Sequence, residues 1–296
     1  MKQSLRTFAL ITASLLVVVG LGAQSRSHKL FATVTDRAGQ PVLDLNATDF
    51  RITLGAVTGQ VVHASLATEP MRIALLVDTG DKAKASLNHI RNGLRAFLDA
   101  IPPEDEVLLM SIGSQGRVRV PPTLDRKKLK STVEGLFADG GGITLVDALL
   151  ESWSRFLRNA ENRWPVFVIL TTDAPENSGA RTSEIETFMR EIQGAAATAH
   201  AITLTSTPPN PNARAFSISD VVTTTTGGKL DALATSVALP VRMKALGEEI
   251  AAQQRRTRLQ YELDFVSGPV DPEARVMVYV AREGTSVELA AGRRIK

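Results

Sequence analysis

Short, almost entirely apolar runs recur through the middle of the chain. Residues 73–77, 107–112 and 166–170 are such runs, and each is typical of a strand buried on both faces of a sheet. The segments between them place apolar residues three or four positions apart, as at Ile90 and Leu94, which predicts amphipathic helices. Strands that alternate with helices predict a mostly parallel sheet with helices on both faces.

The same periodicity predicts the remaining elements of this region. A shorter apolar stretch is interpreted as an edge strand, and four further helices and one further strand follow it. These elements are the edge strand at 117–120, the helices around 129–137, 145–156, 185–192 and 241–250, and the strand at 201–204.

Both ends of the chain have a different pattern. Residues 30–35, 50–54 and 61–66, and then 259–265, 276–280 and 287–290, form short runs joined by turns, which predicts strands without helices. Blocks below roughly 40–50 residues rarely bury enough surface to fold alone. We therefore expect the two blocks to pack together as a small β-sandwich-like unit. The predicted organisation is a signal peptide at 1–23, an N-terminal β segment at 24–70, an α/β domain at 71–258 and a C-terminal β segment at 259–296.

The first 23 residues have the layout of an export signal. Lys2 and Arg6 precede a mainly apolar run at 8–19, and small residues at 20–23 precede Gln24. This order predicts a secretory signal peptide that is cleaved after Ala23. The run is shorter than the ~20 residues that span a bilayer, so we expect a periplasmic or secreted protein without a stable transmembrane span in the mature chain. The alternative is that the segment is retained as an N-terminal anchor.

Composition excludes several classes of function. Hydrophobic residues make up 44% and charged residues 22% of the chain, which is the balance of a folded domain. Cysteine is absent, so disulfides, zinc–thiolate sites, iron–sulfur clusters and cysteine nucleophiles are excluded. The net charge is +3, and it falls to +1 without Lys2 and Arg6. No basic stripe is present, so a nucleic-acid partner is not predicted.

The sequence also lacks the motifs of common catalytic sites. The four histidines are scattered, and no Gly-x-Ser-x-Gly segment is present. Glycines 140–142 are not followed by Gly-Lys-Ser, and no Gly-x-Gly-x-x-Gly follows the first buried strand. We therefore predict that the protein is not an enzyme and uses no cofactor.

Aspartates follow two of the buried strands. Asp78 comes directly after 73–77, and Asp173 comes shortly after 166–170. Ligands of open parallel sheets bind beyond the carboxyl ends of the strands, so both acids are candidates for one polar or cation-binding site. The alternative is that each aspartate caps the turn or helix that follows it, and the spacing alone leaves both interpretations open.

The order of these features resembles a von Willebrand factor type A domain. The resemblance rests on a strand that ends in Asp78, a glycine loop with Thr144 and Asp147, a later strand followed by Asp173, and a Thr-Gly-Gly segment at 226–228. The leading segment resembles exported bacterial proteins related to this family, through residues 34–36, 39–42 and 45–50. The resemblance implies a doubly wound, Rossmann-like fold that binds a protein ligand.

The metal site of that family is incomplete in this sequence. The family pattern is Asp-x-Ser-x-Ser, a loop threonine and a further aspartate, which together hold magnesium. Asp78 and Asp173 match the two acids, but Gly80 and Lys82 occupy the serine positions. Ile143 occupies the threonine position, with Thr144 one place later. Since magnesium requires oxygen ligands in near-octahedral geometry, the resemblance implies a degenerate site.

These observations give one preferred hypothesis and two alternatives. We expect a non-enzymatic interaction or adhesion module of the cell envelope or secreted space, with an unidentified protein ligand and a metal-free remnant at Asp78 and Asp173. The alternatives are a magnesium-dependent ligand binder and an enzyme of unknown class that uses the same two aspartates. The expected ligand-binding surface consists of Thr79, Gly80, Asp81, Lys82, Ile143 and Thr144.

Cleavage of the signal segment is testable on the exported protein. We expect N-terminal sequencing of that material to begin near Gln24, because the small residues at 20–23 form the predicted cleavage site. A sequence that begins at Met1 would instead identify an uncleaved anchor.

Overall fold

The computed structural model describes residues 26–205, 214–269, 271 and 274–289. The predicted signal peptide lies outside the described residues. In these described ranges, no helix combines the length and apolar character that crossing a membrane requires.

Twelve strands are present in the described part of the chain, and they form two six-stranded sheets. In chain order they are β1 (Arg26–Thr35), β2 (Phe50–Leu54), β3 (Val57–Leu66), β4 (Met71–Val77), β5 (Glu106–Ile112), β6 (Gly116–Thr123), β7 (Trp164–Thr172), β8 (Thr198–Leu204), β9 (Leu230–Leu233), β10 (Gln260–Ser267), β11 (Val276–Val280) and β12 (Ser286–Leu289).

Helices cover both faces of one of these sheets, which has the strand order β6-β5-β4-β7-β8-β9. All neighbours in this sheet are parallel except β5 and β6. The helices are α1 (Leu87–Ala100), α2 (Arg126–Glu134), α3 (Leu145–Ser152), α4 (Thr182–Gly194), α5 (Arg214–Thr226) and α6 (Leu239–Thr257).

Each helical layer buries its own apolar cluster against this sheet. Leu94 of α1, Leu129 of α2 and Met243 of α6 pack on one face. Leu149 of α3 and Phe188 of α4 pack on the other, together with α5. The predicted fold class, a doubly wound α/β sheet with helices on both faces, is confirmed.

Several elements differ from the sequence-based prediction. Neither α5 nor β9 was predicted from the sequence pattern. Helix α5 ends in four consecutive threonines at 223–226, whose β-branched side chains disfavour helix. The helix expected at 145–156 ends at Ser152 and continues as a single wider turn over Trp153–Leu157. The helix α2 ends at Glu134, before Gly135.

Strands from both ends of the chain form the second sheet, with the order β11-β2-β3-β10-β1-β12. β1 pairs with β10 antiparallel, so that Leu30 lies opposite Leu263. One face buries an apolar cluster that includes Phe50 and Tyr261, and the Tyr261 hydroxyl accepts a hydrogen bond of 2.9 Å from the Leu45 N–H. The β-sandwich-like unit therefore takes strands from both ends of the chain.

The buried carboxylate of Asp105 is hydrogen-bonded to both segments that connect the two sheets. Asp105, just before β5, is 0% exposed. Its Oδ1 accepts hydrogen bonds from the Met71 N–H at the start of β4 (2.7 Å) and from Nε2 of Gln254 in the last turns of α6 (2.8 Å). Burial raises the pKa of Asp105 above its usual 3.8.

We expect Asp105→Asn to change the pH dependence of stability. The folded protein binds the Asp105 proton more tightly than the unfolded chain does, so the free energy of unfolding falls as pH rises from 3.8 through the folded-state pKa. Asparagine keeps the Oδ1 acceptor and removes the buried charge. The variant should therefore be at least as stable as wild type at pH 7 and lose its advantage in acid, as measured by urea unfolding at a series of pH values.

Asp105→Leu is the matched variant that removes the acceptor. It leaves the Met71 N–H and the Gln254 amide without their partner and should lower the free energy of unfolding by roughly 2 kcal/mol or more. Equal stability of the leucine and asparagine variants would contradict the connecting role of Asp105.

Candidate functional site

The residue that follows β4, Asp78, lies at the carboxyl edge of the α/β sheet and is 0% exposed. Its Oδ1 accepts a hydrogen bond from the Gly80 N–H (2.7 Å). Its Oδ2 accepts hydrogen bonds from the N–H (3.1 Å) and the hydroxyl (2.6 Å) of Thr172, the last residue of β7. Burial raises the pKa of Asp78, and these hydrogen bonds counteract that effect. Each oxygen of this carboxylate therefore has a partner from the protein.

The next acid along this edge, Asp173, forms a salt bridge with Lys82. The Lys82 ammonium lies 2.8 Å from Oδ1 of Asp173 and also donates to its backbone carbonyl at 3.1 Å. The aspartate side chain is 3% exposed, whereas that of the lysine is 43% exposed. Lys82 belongs to a 3-10 turn at Asp81–Ser86, which carries the ammonium to the sheet edge. Lys82 thus pairs with Asp173, while Thr172 and Gly80 hold Asp78.

Backbone of the glycine loop fills the space beside Gly80. A Cβ atom at position 80 would lie 2.9 Å from the carbonyl oxygens of Gly141 and Gly142. The loop is fixed there by two hydrogen bonds, from the Asp81 N–H to the Gly141 carbonyl (3.0 Å) and from the Gly141 N–H to the Asp81 carboxylate (3.0 Å). A serine at position 80 therefore requires the loop to move.

Four of the six residues expected in a ligand-binding surface are buried. Thr79 and Ile143 are 0% exposed, Thr144 is 7% exposed, and Gly80 is also buried. The Ile143 side chain belongs to the apolar cluster on the α3 face. Its backbone is held there by pairing with Pro175 and Glu176, which follow β7. Only Asp81 and Lys82 of the six are exposed. This corrects the expectation that Thr79 and Ile143 present side chains to a partner.

A third acid and a second cation lie at the same edge, and neither was predicted from the sequence. The Thr79 hydroxyl donates to Oδ1 of Asp139 (2.7 Å). Arg119 on β6 places Nη2 3.7 Å from Oδ2 of Asp139 and lies over the half-exposed ring of Phe137, 5.2 Å from its centroid. The only sequence signal for Asp139 is its position directly before the glycine loop.

These residues do not fit a magnesium ion. The family's two hydroxyl ligands would come from positions 80 and 82, where glycine offers no side-chain oxygen and lysine places an ammonium on Asp173. The third would come from position 143, where the side chain is isoleucine in the core. Within the described ranges, no three histidine, aspartate or glutamate side chains are grouped so that they could hold a metal. Since magnesium requires several oxygen ligands around one point, this arrangement disfavours it.

Comparison with known proteins relates part of the α/β domain to one family. Residues 73–176 match the family model of the von Willebrand factor type A domain. The structure resembles a von Willebrand factor type A protein from Catenulispora acidiphila, with 10% identity over 88% of this chain and 72% of that chain, at a TM-score of 0.53. No curated protein matches the chain.

A further similar structure is proximal thread matrix protein 1 of the mussel byssus, solved with a zinc-occupied MIDAS motif. It is 11% identical, and the match covers 72% of this chain and half of that chain, at a TM-score of 0.50. At such identities both similarities concern the fold alone.

Removal of the Lys82 charge should destabilise the sheet edge. Lys82→Met keeps the aliphatic stem but leaves the buried Asp173 carboxylate without this ammonium, which should lower the free energy of unfolding by about 1–2 kcal/mol at pH 7. Chemical unfolding of wild type and variant at pH 7 measures the difference.

Lys84→Met is the matched control, since Lys84 is exposed in the same 3-10 turn. It should change stability by less than about 0.5 kcal/mol. If the two lysine variants are equally stable at pH 7, the Lys82–Asp173 salt bridge does not stabilise the fold.

Proposed function

Because this chain contains a von Willebrand factor type A domain, we propose that it is a non-enzymatic protein-interaction module whose sheet edge works without a metal ion. The observation that carries the proposal is the Lys82–Asp173 salt bridge of 2.8 Å at the carboxyl edge of the sheet. An ammonium at this position neutralises an acid that the family uses at its metal site.

The closed glycine loop supports the same conclusion. The carbonyl groups of Gly141 and Gly142 occupy the space that a side chain at position 80 would need. The side chains of Asp81 and Lys82 are exposed at this edge, and those of Ser114 and Phe137, next to Asp139 and the glycine loop in sequence or contact, are exposed as well. This surface offers one exposed charge of each sign and one aromatic ring, which suits contacts with another folded protein.

An adhesion or interaction role in the cell envelope or secreted space follows from the predicted export signal at 1–23. The partner is an unidentified protein. The chain lacks the basic stripe that recognition of nucleic acid requires.

The two alternatives place different demands on the same residues. A magnesium-dependent binder needs the glycine loop to open and Lys82 to leave Asp173. An enzyme that uses Asp78 needs its carboxylate to reach a substrate, but this side chain is 0% exposed and is hydrogen-bonded by Gly80 and Thr172. A metal-free interaction module requires neither the opening of the glycine loop nor the exposure of Asp78.

Magnesium titration distinguishes the metal-free interaction module from the magnesium-dependent binder. We expect wild-type protein to give no saturable heat in isothermal titration and no shift in melting temperature, because hydroxyl ligands are absent at positions 80, 82 and 143. Binding tighter than about 1 mM would favour the magnesium-dependent binder.

A capture experiment tests the interaction itself. Envelope extract is passed over the immobilised chain, from residue 24 onward, with either EDTA or magnesium present. We expect the same protein to be retained in both conditions, and the charge reversal Lys82→Glu to abolish retention while Lys84→Glu does not. Retention that requires magnesium, or that both variants leave unchanged, would contradict a metal-free contact at Lys82.

A further inference from the structure

A recess lies at the amino edge of the α/β sheet, opposite the Lys82 site. Its outer part lies between β1 and the start of β7 and spans about 980 Å³, open solvent included. Its narrower inner part continues beneath the last turns of α6. Both parts are lined by Glu69, Trp164 and Ala196. We call the two parts together the junction cleft, because residues of both sheets line it.

Two buried polar atoms at the inner end have no hydrogen-bond partner within the described part of the chain. They are Oε2 of Glu69 and Nδ1 of His200. His200 is 5% exposed, and burial lowers its pKa to about 4, so its imidazole is neutral at pH 7. With the proton on Nε2, Nδ1 is an acceptor. In this tautomer two acceptors line the inner part, and each needs a donor.

The charges around the cleft indicate which donor fits. Lys29, Arg158 and Arg163 line the outer part, and they form salt bridges with Glu262, Glu191 and Glu106 in turn. Among the described residues, Glu69 forms no salt bridge. A buried carboxylate oxygen without a compensating cation is costly. The inner end of the cleft therefore favours a positively charged group that donates several hydrogen bonds.

An aromatic pair lines the cleft, with Trp164 in both parts and Phe31 in the outer part. The rings of Phe31 and Trp164 pack edge to face, with centroids 5.0 Å apart. Asn162 and Ala196, which line the cleft, are the two described non-glycine residues with positive φ, at 54° and 53°. Such conformations persist where the surrounding structure fixes them, often beside a binding site.

We propose that the junction cleft binds a primary ammonium group on an aliphatic stem. The nitrogen donates hydrogen bonds to Oε2 of Glu69 and Nδ1 of His200, and the stem lies against Trp164 and Phe31. A primary ammonium has three donors and one positive charge, which matches two acceptors and one unpaired carboxylate. A small alkylamine and the side chain of a lysine share this chemistry. The proposal does not depend on the Lys82 surface, which lies at the other edge of the sheet.

The first test uses n-butylammonium chloride as the probe and n-butanol as its neutral counterpart, at pH 7 and constant ionic strength. The chain has two tryptophans, and Trp153 is 3% exposed in the core, so a change in fluorescence reports on Trp164. We expect a saturable change with n-butylammonium, half complete at about 1 mM. n-Butanol should require at least tenfold higher concentration.

Two variants assign the binding to the inner end of the cleft. Glu69→Gln keeps the shape of the side chain and removes its charge, so the affinity should fall at least tenfold. Glu161→Gln is the matched control, because Glu161 is an exposed acid next to Asn162 at the cleft, and it should leave the affinity unchanged. If Glu69→Gln does not melt cooperatively, Glu69→Asp replaces it, because the shorter side chain withdraws the carboxylate and should also weaken binding.

A further arm distinguishes the two sources of the ammonium group. N-acetyl-lysine amide is compared with N-acetyl-norleucine amide, which has the same stem without the charge. Binding of the lysine compound supports a lysine side chain as the ligand, whereas binding of n-butylammonium alone supports a small amine. No saturable response to n-butylammonium below about 100 mM, an equal response to n-butanol, or an unchanged affinity in the Glu69 variant would overturn the proposal.

Discussion

A carboxylate that is removed from water must find donors or a cation inside the protein, and this requirement organises the carboxyl edge of the α/β sheet. Asp78, Asp139 and Asp173 lie within a few residues of strand ends or of the glycine loop. The chain satisfies them with its own groups, namely the Thr172 hydroxyl, the Thr79 hydroxyl and the Lys82 ammonium. The charges of these buried acids are thus satisfied inside the protein.

The same requirement applies at the opposite edge with a different result. Asp105 is buried, and its Oδ1 accepts two donors that come from the start of β4 and the end of α6. Glu69, two residues before β4, has a buried oxygen without a donor among the described residues, as does Asp105 at its other oxygen, Oδ2. Asp105 therefore links the two segments that connect the sheets, and Glu69 lines the junction cleft beside them. The two edges of the sheet differ because one is closed by its own loops and the other is open between the sheets.

The sequence predicts the features that depend on neighbouring residues. An apolar run of five residues is long enough to identify β4 and β7 as buried strands, and parallel strands bring Asp78 and Asp173 to one edge. Contacts between distant segments could not be predicted in this way. The closure of the glycine loop on Gly80 and the approach of Arg119 to Asp139 join residues separated by 20 to 62 positions. The periodicity of a single helix or strand contains no information about such contacts. Helix α5 was missed because its threonines favour strand over helix.

The pairing of β1 with β10 and β12 determines which of the two sheets can form first during synthesis. β1 lies between β10 and β12, so its neighbours are synthesised only after the whole α/β domain. During synthesis β1 has no neighbouring strand, and the edge of β3 that later pairs with β10 is unpaired. The α/β domain, in contrast, contains every strand of its own sheet. Contacts this distant in sequence form slowly, and an open strand edge invites pairing with other chains. A chaperone that holds the segment from β1 to β3 extended would therefore protect strands whose partners, β10 and β12, have not yet been synthesised.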